Sequence, residues 1–361
     1  MSVALIGGGS WGTALATHLG RRGADVRLWV RESEIVESIT RRRRNAWYLT
    51  DVELPSAVQA TGELADALAG ADLVIIAVPS EFVSAVLESL GELTAGVPVV
   101  SATKGFDPAR HVRMTELIRA RFPDAPVAAL SGPTFAREVA LGLPTACVVA
   151  SRDETLARRL QSDLGSREFR LYTNGDVVGV EVGGALKKVI AIATGLADGL
   201  ELGQNARAAL ITRGLAELTR LAVALGALPS TLAGLAGLGD LVLTCTGALS
   251  RNRALGMALA RGRTQAALED ETRMIAEGAR TVVSALALAR RHCVSLPICS
   301  EVGEVLFGGK APADALAALL GRAMRPEHDD ARDEPPLAEK LPGARPPRAY
   351  DRGEGTDIDH V

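Results

Sequence analysis

The chain of 361 residues has few aromatic side chains and no cysteine pairs. Phe, Trp and Tyr together make up 3% of the residues, so Ala, Leu and Val must fill the cores. The four cysteines, Cys147, Cys245, Cys293 and Cys299, form no CxxC pair and have no metal-type spacing with the five histidines. This pattern argues against a disulfide framework and against a bound metal, and it is typical of buried thiols in a reducing cytoplasm.

The sequence also lacks a strong excess of charge and a long apolar run. The net charge is −3; residues 326–361 hold ten acidic and five basic side chains, which leaves +2 for residues 1–325. A nearly neutral fold offers no broad surface for nucleic acid. The one dense basic run, 41–44, is typical of a solvated helix end. No apolar run reaches the length of a membrane span, and the chain starts directly in an apolar strand rather than in a signal peptide.

These absences favour a cytoplasmic protein that acts on a small molecule, without a nucleic-acid partner or a membrane span. A homodimer is compatible with the same features, and the sequence does not decide the oligomeric state.

The order of the predicted elements divides the chain into three parts. Short apolar strands alternate with helical patterns up to residue 174, which predicts a mostly parallel sheet covered on both faces. Helical periodicity dominates from Val180 to Ala323. We therefore expect an α/β fold joined to an all-α fold: a Rossmann-type doubly wound domain (1–178), an all-helical substrate and catalytic domain (179–325), and a disordered, acidic, Pro-rich tail (326–361). The strands are predicted at 3–6, 24–30, 71–79, 97–103, 126–132, 145–151 and 169–174.

A glycine-rich turn follows the first strand at once. The residues GGGSWG (7–12) stand between that strand and a predicted helix, as the G-x-G-x-x-G turn of a dinucleotide-binding unit requires. Gly7 would permit the tight turn, Gly9 would let backbone amides approach a pyrophosphate, and Gly12 would let helix and strand pack closely. The phosphates would then lie at a helix N-terminus, where free N–H groups favour anions.

Further polar residues follow the predicted strands. Arg31 comes at the end of the second strand, where an acidic residue would favour NAD and an arginine suits a 2′-phosphate. NADP(H) is therefore favoured over NAD(H), with a plain exposed arginine as the alternative. Lys104-Gly105 and the segment 131–134 (SGPT) each place a glycine beside a polar or cationic group at a strand's carboxyl end. Together they predict a wall that faces the cofactor and a small polar substrate.

Two segments of the helical part carry candidate substrate groups. Gly183 and Gly184 precede Lys187, so small residues would allow close helix packing and bring that lysine toward the domain cleft, with an ordinary surface lysine as the alternative. Lys188 would point elsewhere, since adjacent helical residues do not share a face. The segment 250–253 (SRNR) follows GLGDL (237–241) and offers a hydroxyl, a guanidinium and an amide near a helix start. Such a group can hold a phosphate, although an ordinary helix cap is the alternative.

Taken in order, these segments resemble the bacterial-type NAD(P)-dependent glycerol-3-phosphate dehydrogenase family. The match extends from Val3 to about Gly321, and the ordered set is far more specific than any single piece. It also includes NAWYL (45–49), VPS (78–80), AEGARTV (276–282) and LPI (296–298). Lys188 departs from the pattern, because the family usually has Asn there.

The resemblance implies two sets of site residues and one catalytic residue. With the three glycines of the turn, the NADPH or NADH site would comprise Gly7, Gly9, Ser10, Trp11, Gly12, Arg31, Lys104, Ala136, Arg251, Ile275 and Glu277. The glycerol phosphate site would comprise Lys104, Gly132, Thr134, Lys187, Asp240, Ser250, Arg251 and Asn252. Lys187 would be the acid–base residue.

The implied reaction is reversible reduction of dihydroxyacetone phosphate to sn-glycerol 3-phosphate, which supplies the backbone of phospholipids. The alternatives are a dehydrogenase of the β-hydroxyacid type, which would take a carboxylate substrate, and a non-catalytic NADP(H)-binding sensor. Because free lysine titrates near ~10.4, Lys187 needs a lowered pKa to act as a base, and Lys104 is the expected neighbouring cation.

Overall fold

An eight-stranded sheet forms the N-terminal half in the computed structural model, which describes residues 1–263, 277–324 and 326–327. The sheet order is β3-β2-β1-β4-β5-β6-β7-β8, with every neighbouring pair parallel except the antiparallel β6–β7 pair. The strands are β1 (Ser2–Ile6), β2 (Asp25–Trp29), β3 (Val58–Thr61), β4 (Leu73–Ile76), β5 (Val99–Ser101), β6 (Val127–Ser131), β7 (Thr145–Ala150) and β8 (Phe169–Asn174).

Helices cover both faces of this sheet. The alternating residues of β1 show this, since Val3 and Leu5 belong to one buried cluster, whereas Ala4 and Ile6 belong to another. The fully buried strand sequences follow from this double cover. The helices are α1 (Ser10–Arg21), α2 (Ser33–Arg42), α3 (Leu64–Leu68), α4 (Ser80–Ser89), α5 (Met114–Arg121), α6 (Ala136–Ala140) and α7 (Glu154–Leu164).

The chain after β8 is helical throughout its described part, apart from short connections. The long helix α8 lies at its centre, and 20 of its 23 residues are buried. The elements are α8 (Val177–Gly199), α9 (Gly203–Ala224), α10 (Pro229–Leu232), a π-helical segment (Leu235–Gly239), α11 (Asp240–Thr246), α12 (Arg251–Ala260), α13 (Gly278–Arg291), α14 (Pro297–Phe307) and α15 (Pro312–Leu320).

The predicted fold class is confirmed: a Rossmann-type sheet comes first and a helical domain follows. Two details of the sheet are absent from the prediction. The edge strand β3 is only four residues long and half polar, so its sequence carries no apolar signal. The antiparallel direction of β7 depends on tertiary packing, because the apolar sequence of a strand does not indicate whether it pairs parallel or antiparallel.

The predicted tail begins at 326, and residues 328–361 lie outside the described part of the chain. Within the described part, no single helix is long and apolar enough to span a membrane. One pair with a bend of 47°, Pro229–Thr246 with Arg251–Ala260, meets the length and composition requirement jointly.

Candidate active site

The turn between β1 and α1 has the geometry that its three glycines predict. Gly7 has a φ of 123°, and a Cβ there would lie 2.8 Å from the carbonyl oxygen of Ala77. A Cβ on Gly12 would collide with the carbonyl oxygen of Gly7. At Gly9, no atom of the described residues other than its own and those of its chain neighbours lies within 4 Å of the Cβ position. The turn therefore leaves open space against bare backbone at the start of α1, which fits a pyrophosphate.

Asn45 supports this turn from behind. Its fully buried side-chain amide donates to the carbonyl oxygen of Gly8 and to Thr13 Oγ1, both at 2.8 Å, and its Oδ1 accepts from the backbone of Trp47 and Tyr48. Asn45 is not among the predicted site residues. The signal that points to it is the NAWYL segment, which belongs to the family resemblance.

The other predicted cofactor residues of the sheet domain surround the same edge. Ser10 and Trp11 begin α1, and the indole of Trp11 donates to the carbonyl oxygen of Ala102 at 3.1 Å, beyond the end of β5. Ala136 begins α6 and is partly buried. Arg31 follows β2 by two residues; its side chain is 67% exposed, pairs with Glu32 at 2.7 Å and lies 5.6 Å from the centre of the Phe82 ring.

Two lysines from different domains share one buried carboxylate. Asp240, which is fully buried, accepts from Lys187 at Oδ1 and from Lys104 at Oδ2, the latter at 2.8 Å. The Lys104 ammonium also donates to the carbonyl oxygen of Gly132 at 2.7 Å and to Thr134 Oγ1 at 3.1 Å. Five of the eight predicted substrate residues thus form one hydrogen-bonded cluster at the carboxyl edge of the sheet.

Close helix packing brings α8 to this edge. A Cβ on Gly183 would lie 2.7 Å from the carbonyl oxygen of Ala236 in the π-helical segment, and one on Gly184 would collide with Ser131 Oγ at the end of β6. The predicted function of these small residues is therefore confirmed in the packing. The π-helical segment ends directly before Asp240, and such segments are frequent at functional sites.

Burial lowers the pKa of Lys187 to about 7 from 10.5. The largest cause is desolvation of the ammonium, since the residue is 7% exposed. Asp240 opposes this effect, whereas the charges of Lys104 and Lys188 add to it. Lys104 therefore lowers the pKa of Lys187, as expected of a neighbouring cation, although burial lowers it more. A lysine with this pKa can both donate and accept a proton near neutral pH.

Lys188 binds other partners than Lys187 does, as expected for adjacent helical residues, although both side chains lie in the same buried region. Its buried ammonium donates to the carbonyl oxygen of Lys104 and pairs with Glu277 directly before α13. Burial alone would raise the pKa of Glu277, but Lys188, Arg251 and Arg280 together lower it. The carboxylate of Glu277 is therefore ionised at neutral pH.

The start of α12 carries the remaining predicted substrate residues. Ser250 Oγ caps the helix by accepting from the backbone N–H of Arg253 at 3.3 Å, and its hydroxyl proton stays available for another acceptor. Arg251 is exposed, and Asn252 Oδ1 accepts from the backbone of Gly278 at 2.9 Å. The side chain of Arg253 instead pairs with Asp198 at 2.6 Å. Ile275, the remaining predicted cofactor residue, lies outside the described residues.

Comparison with known proteins gives the same family for both halves of the chain. Residues 2–157 match the family described as NAD-dependent glycerol-3-phosphate dehydrogenase N-terminus, and residues 176–317 match its C-terminus. The chain is 51% identical to the glycerol-3-phosphate dehydrogenase [NAD(P)+] of Koribacter versatilis over 332 residues, which cover 90% of this chain and 98% of the relative. It is 48% identical to that of Anaeromyxobacter sp. strain K, over 91% of this chain and 100% of the relative.

Among solved structures, it is similar to the glycerol-3-phosphate dehydrogenase of Coxiella burnetii. The two share 40% identity with a TM-score of 0.85, over 89% of this chain and 99% of that one.

Proposed function

This chain belongs to the NAD-dependent glycerol-3-phosphate dehydrogenase family, and we propose that it reduces dihydroxyacetone phosphate reversibly to sn-glycerol 3-phosphate. The observation that carries the proposal is the buried cluster in which Lys187 and Lys104 share Asp240. It offers a proton-transfer group with a pKa of about 7 beside a dinucleotide-binding edge. The product would supply the glycerol phosphate backbone for phospholipid synthesis.

The residues of the cluster have distinct tasks in the proposed reaction. When bound, NADPH or NADH supplies the hydride that reduces the carbonyl carbon. Lys187 donates its proton to the carbonyl oxygen during reduction and accepts the hydroxyl proton during oxidation. Asp240 belongs to the proposed substrate site and holds the ammonium groups of Lys187 and Lys104 in place. Lys104, Gly132 and Thr134 form the substrate wall contributed by the sheet domain.

The phosphate of the substrate is assigned to the start of α12. The Ser250 hydroxyl and the exposed Arg251 guanidinium can donate to phosphate oxygens, and Asn252 contributes its amide N–H₂ because its oxygen is already bonded to Gly278. Holding the phosphate there would orient the carbonyl group toward Lys187. In the cofactor site, Arg251 and Glu277 would complete the set formed by Ser10, Trp11, Arg31 and Ala136.

The 2′-phosphate of NADP(H) is assigned to Arg31. Its guanidinium is exposed at the end of β2 and lies near the Phe82 ring, and its only described ion pair is with the adjacent Glu32. An ion pair whose arginine is largely exposed is worth little, so a 2′-phosphate can displace Glu32 at low cost. NADPH is therefore the favoured cofactor and NADH the second.

The direct test is reduction of dihydroxyacetone phosphate by the purified protein, followed by nicotinamide absorbance with NADPH and NADH in turn. We expect turnover with both and a lower KM for NADPH. Turnover of a 3-hydroxy acid instead would assign the chain to the β-hydroxyacid type. Tight cofactor binding with no turnover of either substrate would make it a sensor.

We also infer domain limits of 1–178 and 179–325, with a tail from 326. The division is supported by the end of β8 at Asn174 and the start of α8 at Val177. A cytoplasmic location is supported by the cysteines, all four of which are free. The homodimer stays a prediction that sedimentation analysis can decide.

A further inference from the structure

Lys188 contacts two parts of the site that are far apart in the sequence, the backbone of Lys104 and the carboxylate of Glu277. Its ammonium group, with a side chain 8% exposed, contacts the carbonyl oxygen of Lys104 in the sheet domain and the carboxylate of Glu277 before α13. An ammonium group has three donors and no acceptor, so one buried Lys188 can satisfy both partners at once. One of these partners, Lys104, is assigned to the substrate, and Glu277 is assigned to the cofactor.

On the substrate side, Lys104 is held at both ends, by α11 and by α8. Its ammonium is fixed by Asp240 at the start of α11, a partner that it shares with Lys187, and its backbone carbonyl is fixed by Lys188 of α8. The direct contact from α8 is therefore the one that Lys188 makes with the backbone. A shift of Lys188 would displace the Lys104 backbone and with it the Nζ that faces the substrate.

On the cofactor side, the Glu277–Gly278 junction is held from two directions. Lys188 binds the Glu277 carboxylate, and Asn252 accepts from the next backbone N–H at 2.9 Å. The fit is tight, because a Cβ on Gly278 would lie 2.6 Å from Asn252 Oδ1 and 3.1 Å from the carbonyl oxygen of Lys188. Movement of Glu277 is thus transmitted to α8 and α12 together.

We propose that Lys188 is a positioning residue that couples cofactor binding to substrate binding by holding the Glu277 carboxylate and the Lys104 backbone in one arrangement. The proposal rests on the proposed function, because it assigns Glu277 to the cofactor and Lys104 to the substrate. It predicts that each ligand binds more tightly when the other is present, and that this reciprocal gain depends on Lys188.

The first experiment measures NADPH binding by its fluorescence, with and without saturating glycerol 3-phosphate, so no turnover is needed. Lys188→Met should reduce the gain in affinity that glycerol 3-phosphate confers by at least about threefold, the scale for residues in direct contact. Lys188→Gln keeps a donor for the Lys104 carbonyl but lacks the charge, and should also reduce it. Lys188→Arg should restore most of it. Lys310→Met is the matched control, since Lys310, which follows α14, pairs with Glu301 at 2.6 Å and neither is assigned to the site.

A second measurement separates positioning from simple support of the fold. Lys188 is one of the cations that lower the pKa of Lys187, so Lys188→Gln should move the rise of glycerol 3-phosphate oxidation to higher pH, whereas Lys188→Arg should not. In a double-mutant cycle, Glu277→Gln combined with Lys188→Gln should weaken NADPH binding less than the sum of the single changes.

The proposal is overturned if Lys188→Gln binds NADPH with the wild-type gain from glycerol 3-phosphate, or if the cycle is additive. Failure of the proposed function is recognised differently: the wild-type protein would then fail to reduce dihydroxyacetone phosphate. Should Lys188→Met fail to fold, the Gln and Arg variants decide the same question.

Discussion

Lys104, Lys187 and Lys188 converge in one region, and each ammonium meets a different set of acceptors. Lys104 meets a carbonyl, a hydroxyl and a carboxylate. Lys187 meets only the Asp240 carboxylate among these hydrogen bonds, and burial lowers its pKa. Lys188 meets a carbonyl and the Glu277 carboxylate. Three residues of one type are thus assigned to substrate binding, proton transfer and positioning by their surroundings alone.

Replacement of the proton-transfer residue tests the central assignment. Lys187→Ala should lower kcat by at least ~10²-fold, the usual scale of general acid–base catalysis. NADPH binding should persist, because the glycine turn is untouched. Steady-state kinetics and cofactor fluorescence measure the two effects, with Lys310→Met as the control. A turnover near that of the wild type would remove Lys187 from this role.

Replacement of Lys104 tests the electrostatic part of the site. Lys104→Met removes a cation that lowers the pKa of Lys187, so that pKa should rise above about 7. Oxidation needs neutral Lys187, and its rise with pH should therefore shift upward. The shift should stay well short of 10.5, since burial is the larger cause. The pH profile of glycerol 3-phosphate oxidation measures this, and an unchanged profile would contradict it.

Arg31 is the residue on which the cofactor preference depends. Arg31→Ala should raise the KM for NADPH roughly tenfold, which corresponds to loss of one hydrogen bond to a charged group, and should leave the KM for NADH nearly unchanged. Arg31→Lys should keep an intermediate preference, because it retains charge without the planar fork. Equal effects on both cofactors would show that Arg31 does not contact the 2′-phosphate.

The start of helix α14 is held by a carboxyl group that is buried in α9. Glu217 of α9 is almost completely buried and accepts from the backbone of Ile298 at 2.7 Å and of Cys299 at 3.2 Å, at the start of α14. These bonds satisfy N–H groups that a helix leaves free at its first turn. Burial nevertheless raises the pKa of Glu217 to about 7.

This raised pKa makes stability depend on pH. Between 4.5 and about 7 the unfolded chain ionises Glu217 while the folded chain keeps its proton. The free energy of unfolding should therefore fall across this range by on the order of 3 kcal/mol from this group. Glu217→Gln should lack that fall. Urea unfolding of both proteins at low and high pH measures the difference, and parallel pH dependence would refute the prediction.

At the level of elements, the sequence predicts most of what local pattern determines. Apolar runs predict seven of the eight strands, and the spacing of Gly7, Gly9 and Gly12 predicts the glycine turn. Local sequence does not predict the π-helical segment before Asp240, because nothing in LAGLG distinguishes it from an α-helix. Nor does it predict that two lysines share Asp240, since Lys104 and Asp240 are 136 residues apart. Contacts over that separation follow from packing rather than from local sequence.

Polar contacts join the sheet domain to the helical domain, beside an apolar cluster to which both domains contribute. Glu181 of α8 accepts from Arg113 and Thr115 at the start of α5, with distances of 2.6 to 2.8 Å. Across the same boundary, His111 lies 3.0 Å from Ser284 Oγ. Because the assigned site draws residues from both domains, its geometry depends on these contacts.

Loss of the Glu181 contact should destabilise the joined molecule. Glu181→Ala leaves Arg113, whose side chain is 14% exposed, without its buried partner, and should cost about 3 kcal/mol of unfolding free energy. Glu301→Ala is the control: it removes a more exposed ion pair and should cost less than about 1 kcal/mol. Chemical denaturation measures both, and equal costs would contradict the prediction.

Helix α8 contains both a residue that contacts the sheet domain, Glu181, and the proposed proton-transfer residue, Lys187. Glu181 fixes α8 to the sheet domain, and Lys187 lies six residues later. Near the C-terminal end of α8, Asp198 pairs with Arg253 of α12. One inserted residue between Glu181 and Lys187 would rotate the lysine by about 100° and advance it by about 1.5 Å, away from Asp240. Natural variants of this helix are therefore expected to differ in their residues but not in their number. Insertions and deletions should accumulate in the surface loops, where no such angle has to be preserved.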